Sequence, residues 1–436
     1  MMLRQREIFF FWLPLAFSFL LMTFEGPWVQ GVISRKADAE LQLAAFGLVM
    51  SLSVTIEAPV IMFLAVGSAL ARDRHAYHVL WRYTMVVNLL VTVVAALMAF
   101  TPLLDWWLGT VLNIPQNIID ATRPGMVVMI LWSGFIGYRR FHQGILIRNN
   151  RTRAIGIGTV IRIIVSAGIA VLLGLLSSLP GAVIGALALM FAVTAEMIYT
   201  IIVARPDVDQ LVQTEPRPPL LTYRSALAFH LPLALTSLMT LLVRPVIERG
   251  LAGTPDAELA LAAWPVIFAI ALFMRSGGMA WQEVVISLCK GAAARQALRR
   301  FSLTLGSVLT GLMLLLAFTP LIDVYLGAVL DVPERLRPSI VMGTQVAVLL
   351  PLLTVLQSHF RGLLMLSGKT SPIYQGMLIS FALTAVVMWG AVGMGINGLV
   401  AASLAMTFGA LAEMAFLWRM LVMNEDHLVA NLQPAG

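Results

Sequence analysis

Twelve ionisable side chains stand inside stretches of this sequence that are otherwise apolar, and their types define the chemistry open to it. The cations are Arg139, Arg140, Arg162, Arg244, Arg275 and Arg361; the carboxylates are Glu25, Glu57, Glu196, Glu248, Glu283 and Glu413. An ionisable group at the centre of a bilayer costs roughly 2.5–3.5 kcal/mol even on a lenient insertion scale. Twelve such groups facing lipid is untenable, so they must pair with one another or line a cavity. All six cations are arginine, whose planar fork of donors matches a carboxylate or phosphate as lysine does not. The carboxylates bring the complementary chemistry. Apolar surroundings penalise their charged form, which suits a group that loads and releases protons.

No catalytic constellation accompanies them. The sequence has no phosphate-binding glycine loop, no zinc-protease spacing and no nucleophile elbow. The expectation is a protein that is not an enzyme, uses no cofactor and draws on gradients rather than ATP. A single cysteine, Cys289, excludes an internal disulfide and a cysteine metal site.

The chain that must position these residues is 59% hydrophobic and 12% charged over 436 residues, with a mean hydropathy of +0.89. So little polar surface excludes a soluble protein of this size and predicts an all-α integral membrane fold. The net charge of +7 reads as the Lys/Arg excess of cytoplasmic loops, so no nucleic-acid partner is expected. Apolar runs predict twelve helices, at 8–33, 42–70, 79–103, 123–147, 154–176, 181–204, 225–250, 258–288, 301–321, 338–366, 371–392 and 396–421. The first run is too long for a cleavable signal and lacks a small-residue cleavage pattern. With the N-terminus inside, inner segments hold seventeen lysines and arginines, Arg217, Lys290 and Lys369 among them, against six in outer segments. That bias predicts a multi-pass protein of the cell (inner or plasma) membrane with both termini cytoplasmic.

The two halves of the chain repeat one another. Leu13-Pro14-Leu15-Ala16 recurs as Leu231-Pro232-Leu233-Ala234, and Ala99-Phe100-Thr101-Pro102-Leu103 as Ala317-Phe318-Thr319-Pro320-Leu321, both 218 positions on. Asp105, Leu108-Gly109 and Pro115 recur as Asp323, Leu326-Gly327 and Pro333; Ala195-Glu196-Met197 recurs 217 positions on as Ala412-Glu413-Met414. Six helices per half is an even number, so the halves share an orientation and are related by a pseudo-twofold along the membrane normal. The expected organisation is an N-lobe at 1–204, a proline-rich cytoplasmic linker at 205–224, a C-lobe at 225–422 and a cytoplasmic tail at 423–436.

Two parallel six-helix halves fit the major facilitator fold or that of the multidrug-and-toxin-extrusion (MATE) transporters, and particular residues favour the second. Trp12-Leu13-Pro14-Leu15 with Glu25-Gly26, Ala45-Phe46-Gly47-Leu48, Gly144-Ile145-Leu146, Arg244-Pro245, Trp281 with Glu283, and Gly362 together resemble the progressive ankylosis protein family of that superfamily. The resemblance implies two lobes forming a V, a cleft lined largely by helices 1, 2, 7 and 8, and export of anions such as pyrophosphate, nucleotides or citrate.

On that reading Arg244, Arg275, Glu57, Gln282 and Arg361 are the expected substrate-binding residues, and Glu25, Glu57 and Glu283 the expected ion-coupling ones, with no metal site. Arg275, Gly278, Met279 and Gln282 share a face of helix 8, where small residues are expected to leave room for a ligand. Glu57 and Arg275 are equivalent positions of opposite charge, 218 apart. Glu196 and Glu413 read as packing or pairing groups inside each lobe, and Arg162 as a locally paired or snorkelling cation. The leading function is a secondary transporter or exporter of a small organic or phosphate-containing anion, coupled to protons or sodium and acting as a monomer. The alternatives are a proton- or cation-coupled multidrug extruder and a lipid or lipid-linked flippase.

Overall fold

The computed structural model describes residues 4–149, 151–216, 218, 220–289, 291–367 and 371–423. The expected tail after Met423 and the loop cations Arg217, Lys290 and Lys369 lie outside the described residues. Each predicted span is helical, and among the described residues there is no strand. Helix 1 runs Gln5–Ile33, helix 3 Arg74–Phe100, helix 5 Thr152–Leu176 and helix 6 Gly181–Gln213. Helix 9 runs Ala292–Phe318, helix 11 Ser371–Gly393 and helix 12 Gly398–Met423. The other five are interrupted. Helix 2 is Ala39–Ile56, Ala58–Ile61 and Phe63–Leu70, helix 7 is Tyr223–Leu241 and Val243–Ala252, and helix 8 is Ala257–Met279 and Trp281–Leu288. Short 3-10 turns at Met129–Leu131 and Ala347–Leu349 lead into the second parts of helices 4 and 10, Trp132–Arg148 and Leu350–Leu366. By length and composition, ten helices among the described residues are long and apolar enough to cross a membrane.

The interruptions recur at the spacing at which the sequence recurs. The two 3-10 turns are 218 positions apart, as are helices 3 and 9 at both ends, and as are the breaks at Met62 and Ala280. Of the three non-glycine residues with left-handed backbone among those described, Asn113 (φ 57°) and Asp331 (φ 51°) obey the same offset, while Asp38 (φ 51°) does not recur at Asp256 (φ −105°). A proline or glycine could break any one helix by chance. Breaks, turns and strained backbone at one common offset mean that the duplicated sequence is a duplicated fold. Between helices 2 and 8 one break is not shared: helix 2 turns out of register at Glu57, whereas Ala257–Met279 runs straight through the equivalent Arg275; helix 7 is also interrupted, at Leu242, where helix 1 is continuous. Pro59 in helix 2 has no backbone N–H and so leaves the Thr55 carbonyl without its helical partner. The equivalent residue of helix 8 is Gly277.

The chain packs as two compact units whose boundaries differ from those of the sequence repeat. One comprises Trp28–Ala252, called here the N unit; the other comprises Met1–Pro27 with Gly253–Gly436, the C unit. Helix 7 therefore belongs with helices 2–6, and the first part of helix 1 belongs with helices 8–12. In the C unit, Ile8 is buried in one apolar cluster with Trp281, Val285, Val355, Leu363 and Leu417, and Trp12 and Leu15 pack on its edge. Gln5 also donates to the Ala297 carbonyl at the start of helix 9 (3.0 Å).

Candidate functional site

Each unit is built around the break in its second helix, and each closes that break in the same way. In the C unit the Trp12 indole donates Nε1–H to the Gly277 carbonyl (2.9 Å). That carbonyl lies just before the break at Ala280. In the N unit His230, the residue 218 positions from Trp12, places Nε2 2.6 Å from the Pro59 carbonyl, the equivalent of Gly277. A carbonyl can only accept, so Nε2 carries the proton, and Nδ1 accepts from the Tyr83 hydroxyl (2.8 Å). The surrounding rings occupy equivalent positions but stack differently: Trp281 stacks on Phe301 (5.0 Å), which meets Trp12 edge-on, whereas Phe63 stacks on His230 (4.8 Å) and meets Tyr83, the equivalent of Phe301, edge-on. Buried backbone carbonyls need a partner, and in both units a ring N–H from the helix exchanged between repeats supplies it.

The buried carboxylates of helices 6 and 12 are satisfied by a second symmetric device. Glu196 (2% exposed) pairs with Arg139 and accepts from Gln143 Nε2 (3.1 Å). Glu413 (4% exposed) pairs with Arg361, whose Nε donates at 2.9 Å, and accepts from Gln357 Nε2 (3.1 Å). Position 139 corresponds to 357 and 143 to 361, so arginine and glutamine have exchanged places one helical turn apart while the carboxylate stays fixed. The structural role expected for Glu196 and Glu413 thus has a geometry, and Arg361, expected at the substrate, is neutralised inside its own unit.

The remaining polar groups fall into two sets. In the N unit, Glu57 is buried at the unshared break and accepts from Trp132 Nε1 (2.6 Å). Arg162 lies over the same indole, 5.9 Å from the ring centroid, and Arg140 and Arg139 are near enough to act on the Glu57 charge. Arg140 makes one long contact, to Gln143 Oε1 (3.5 Å), and its buried Nε has no partner. On helix 7, Arg244 lies one turn before Glu248, which is buried and accepts from Ser51 Oγ (2.7 Å). In the C unit, half-buried Arg275 donates Nε to Thr354 Oγ1 (2.6 Å), and no carboxylate of its own unit, among the described residues, lies within ion-pair distance. The terminal nitrogens of the fork make no hydrogen bond within that set. Glu25 is buried in helix 1.

Two expectations about helix 8 are corrected. Glu283 is exposed on Trp281–Leu288, so it is not one of the buried carboxylates, and Gln282 reaches only the Met365 sulfur (3.6 Å). Nor does Gly278 leave room for a ligand. A Cβ there would lie 2.9 Å from Val355 Cγ2 and 3.2 Å from its backbone nitrogen, so the glycine lets helix 8 press against helix 10. The ring latches were missed from sequence, and of the Arg/Gln exchange only the replacement of Gln143 by Arg361 at the 218 offset was seen there. Their signal is present, in ring N–H residues at both 12 and 230 and in the crossed pairs at 139/143 and 357/361.

Such an arrangement of repeated six-helix units defines a class of membrane fold, and comparison with solved structures places it. An inward-facing multidrug-resistance MATE family transporter of the MOP superfamily superposes with a TM-score of 0.75 over 97% of this chain and 99% of that one, at 12% identity. An outward-facing MATE transporter gives 0.64 over 98% and 96%, at 14% identity. A MOP superfamily transporter from Pyrococcus furiosus, described as having a binding pocket of reversed polarity that suggests a different function, gives 0.63 over 98% and 97%, at 13% identity. The chain has the MATE-like fold. No family model matches its sequence, and no curated protein does.

Proposed function

We propose that this protein is a secondary transporter that moves a small organic or phosphate-containing anion across the cell membrane by alternating access, as a monomer with both termini cytoplasmic. The observation that carries the reading is Arg275. Its Nε is fixed by Thr354, its terminal nitrogens are uncommitted within the C unit, and it sits on a helix interrupted five residues later. A half-buried guanidinium anchored at one nitrogen and open at its fork suits bidentate capture of a carboxylate or phosphate. Arg140, with a buried Nε unsatisfied, adds a second donor in the N unit. The resemblance to the progressive ankylosis family favours pyrophosphate, nucleotides or citrate as the cargo. The fold accommodates such a change of cargo, since a superfamily member of the same architecture is described as having a pocket of reversed polarity.

In this reading Arg275 and Gln282 bind the anion in the C unit, Arg244 is a donor and Glu57 a carboxylate of the N unit, and Glu25 carries the coupling proton. Transport requires that the anion have a differential affinity for two conformations, as any ligand-driven shift does. Replacing Glu25 by Gln is expected to remove the pH dependence of transport without loss of folded protein; an unchanged pH profile would assign Glu25 to structure. The reading as a whole is tested by thermal unfolding of purified protein with pyrophosphate, nucleotides, citrate and cationic dyes. Stabilisation by anions supports it, and stabilisation by dyes alone would replace it with a multidrug extruder.

A further inference from the structure

A cavity lies wholly inside the C unit, and Arg275 is not among the residues that line it. It has a volume of about 790 Å³ and is bounded by helix 9, the second part of helix 10 and helix 12. Its walls divide by chemistry. Arg295 and Arg299, one turn apart on helix 9 just before its apolar run, form one end. The rest is largely apolar, with Leu303, Phe360, Leu363 and Trp418 prominent. Leu303 is 47% exposed and Trp418 58%, on helices whose composition suits a bilayer, so the apolar part opens sideways. A pocket with two guanidinium groups at one end and an apolar side opening has the polarity of a single amphiphile with an anionic head.

The repeat does not carry the same lining residues in its other half. The positions equivalent to Arg295, Arg299 and His359 are Tyr77, Trp81 and Phe141. There the Tyr77 ring stacks on Phe141, with centroids 6.1 Å apart and planes at 29°. Where the N unit carries rings, the C unit carries two arginines and a histidine along an open volume. Two guanidinium groups give this pocket an attraction for an anionic head that the rings of the other half would not have.

We propose that this cavity binds an anionic phospholipid from the surrounding membrane, its phosphate held between Arg295 and Arg299 and an acyl chain along Leu303, Phe360 and Trp418. In the proposed orientation the arginines lie at the cytoplasmic leaflet, whose anionic lipids are drawn to basic pockets between helices. The test uses the full-length protein in detergent, followed by native mass spectrometry and thermal unfolding, with dioleoyl phosphatidylglycerol, dioleoyl phosphatidylcholine and inorganic phosphate as probes. Phosphatidylglycerol is expected to be retained and stabilising, with the other two at least about tenfold weaker. Arg295→Gln and Arg299→Gln should each weaken phosphatidylglycerol retention about tenfold or more, whereas Arg300→Gln, an exposed neighbour outside the cavity with the same change of charge, should not. Equal loss in the Arg300 variant would overturn the site in favour of general attraction. Equal retention of phosphatidylcholine would reduce it to an apolar crevice, and equal effect of inorganic phosphate would make it a free-anion site. A variant that misfolds is set aside by its unliganded unfolding profile, and the remaining arginine variant decides.

Discussion

The exchanged arginine and glutamine allow the duplication to be tested by transplanting one half's solution into the other. Arg139→Gln removes the cation from Glu196, which is 2% exposed, and leaves a charge buried without compensation. Breaking a buried pair in this way costs roughly 3–5 kcal/mol. Gln143→Arg alone places two guanidinium groups on one carboxylate and is also expected to destabilise. The double variant Arg139→Gln/Gln143→Arg recreates in the N unit the order that Gln357 and Arg361 present to Glu413 in the C unit, where both reach the carboxylate. It should recover all but about 1 kcal/mol of that cost, so the cycle yields a coupling energy of at least about 2–4 kcal/mol, at or above the upper end of the range for contacting residues. The assay is unfolding of the four purified proteins in one detergent, followed by tryptophan fluorescence. A double variant no more stable than Arg139→Gln would refute the claim that the two triads are interchangeable.

Two further outcomes are expected. Gly144→Ala should destabilise by roughly 1–3 kcal/mol or more, because its Cβ would lie 2.5 Å from the Leu64 carbonyl oxygen and 2.8 Å from the Ser68 nitrogen, both backbone atoms that cannot rotate away; Gly168→Ala, with nothing within 4 Å, should be neutral or better in the same unfolding assay. Trp12→Phe should lose about 1–3 kcal/mol by leaving the Gly277 carbonyl unpaired, and Trp12→His should recover part of that, since His230 makes the equivalent bond natively; equal unfolding midpoints for the two variants would contradict the latch.

Helix number and the duplication were legible because hydropathy and a fixed 218-residue offset are properties of the chain itself. Which unit a helix joins is not such a property. The linker places helix 7 after six others, but Tyr83 and Pro59 engage its His230 in the N unit, and Gly277 engages Trp12 in the C unit. Burial was legible for Glu25, Glu57, Glu196 and Glu413, which lie inside apolar runs, and for Glu248 near the edge of one. It failed at Glu283, because a hydropathy window cannot tell which side of a helix faces the core once the register shifts at Ala280. Partner choice was partly visible: pairing inside each lobe was expected of Glu196 and Glu413, but identifying Gln143 and Gln357 as co-ligands required the fold.

The central claim is anion transport through Arg275, and the direct measurement is flux in proteoliposomes. Wild type and Arg275→Ala would be reconstituted side by side, with uptake of radiolabelled pyrophosphate and citrate followed together with a cationic dye. Removing the guanidinium of helix 8 should abolish anion flux in protein that still elutes and unfolds as the wild type does. A folded Arg275→Ala protein that moves anions at the wild-type rate, or a wild-type protein that moves the dye and neither anion, would contradict the account.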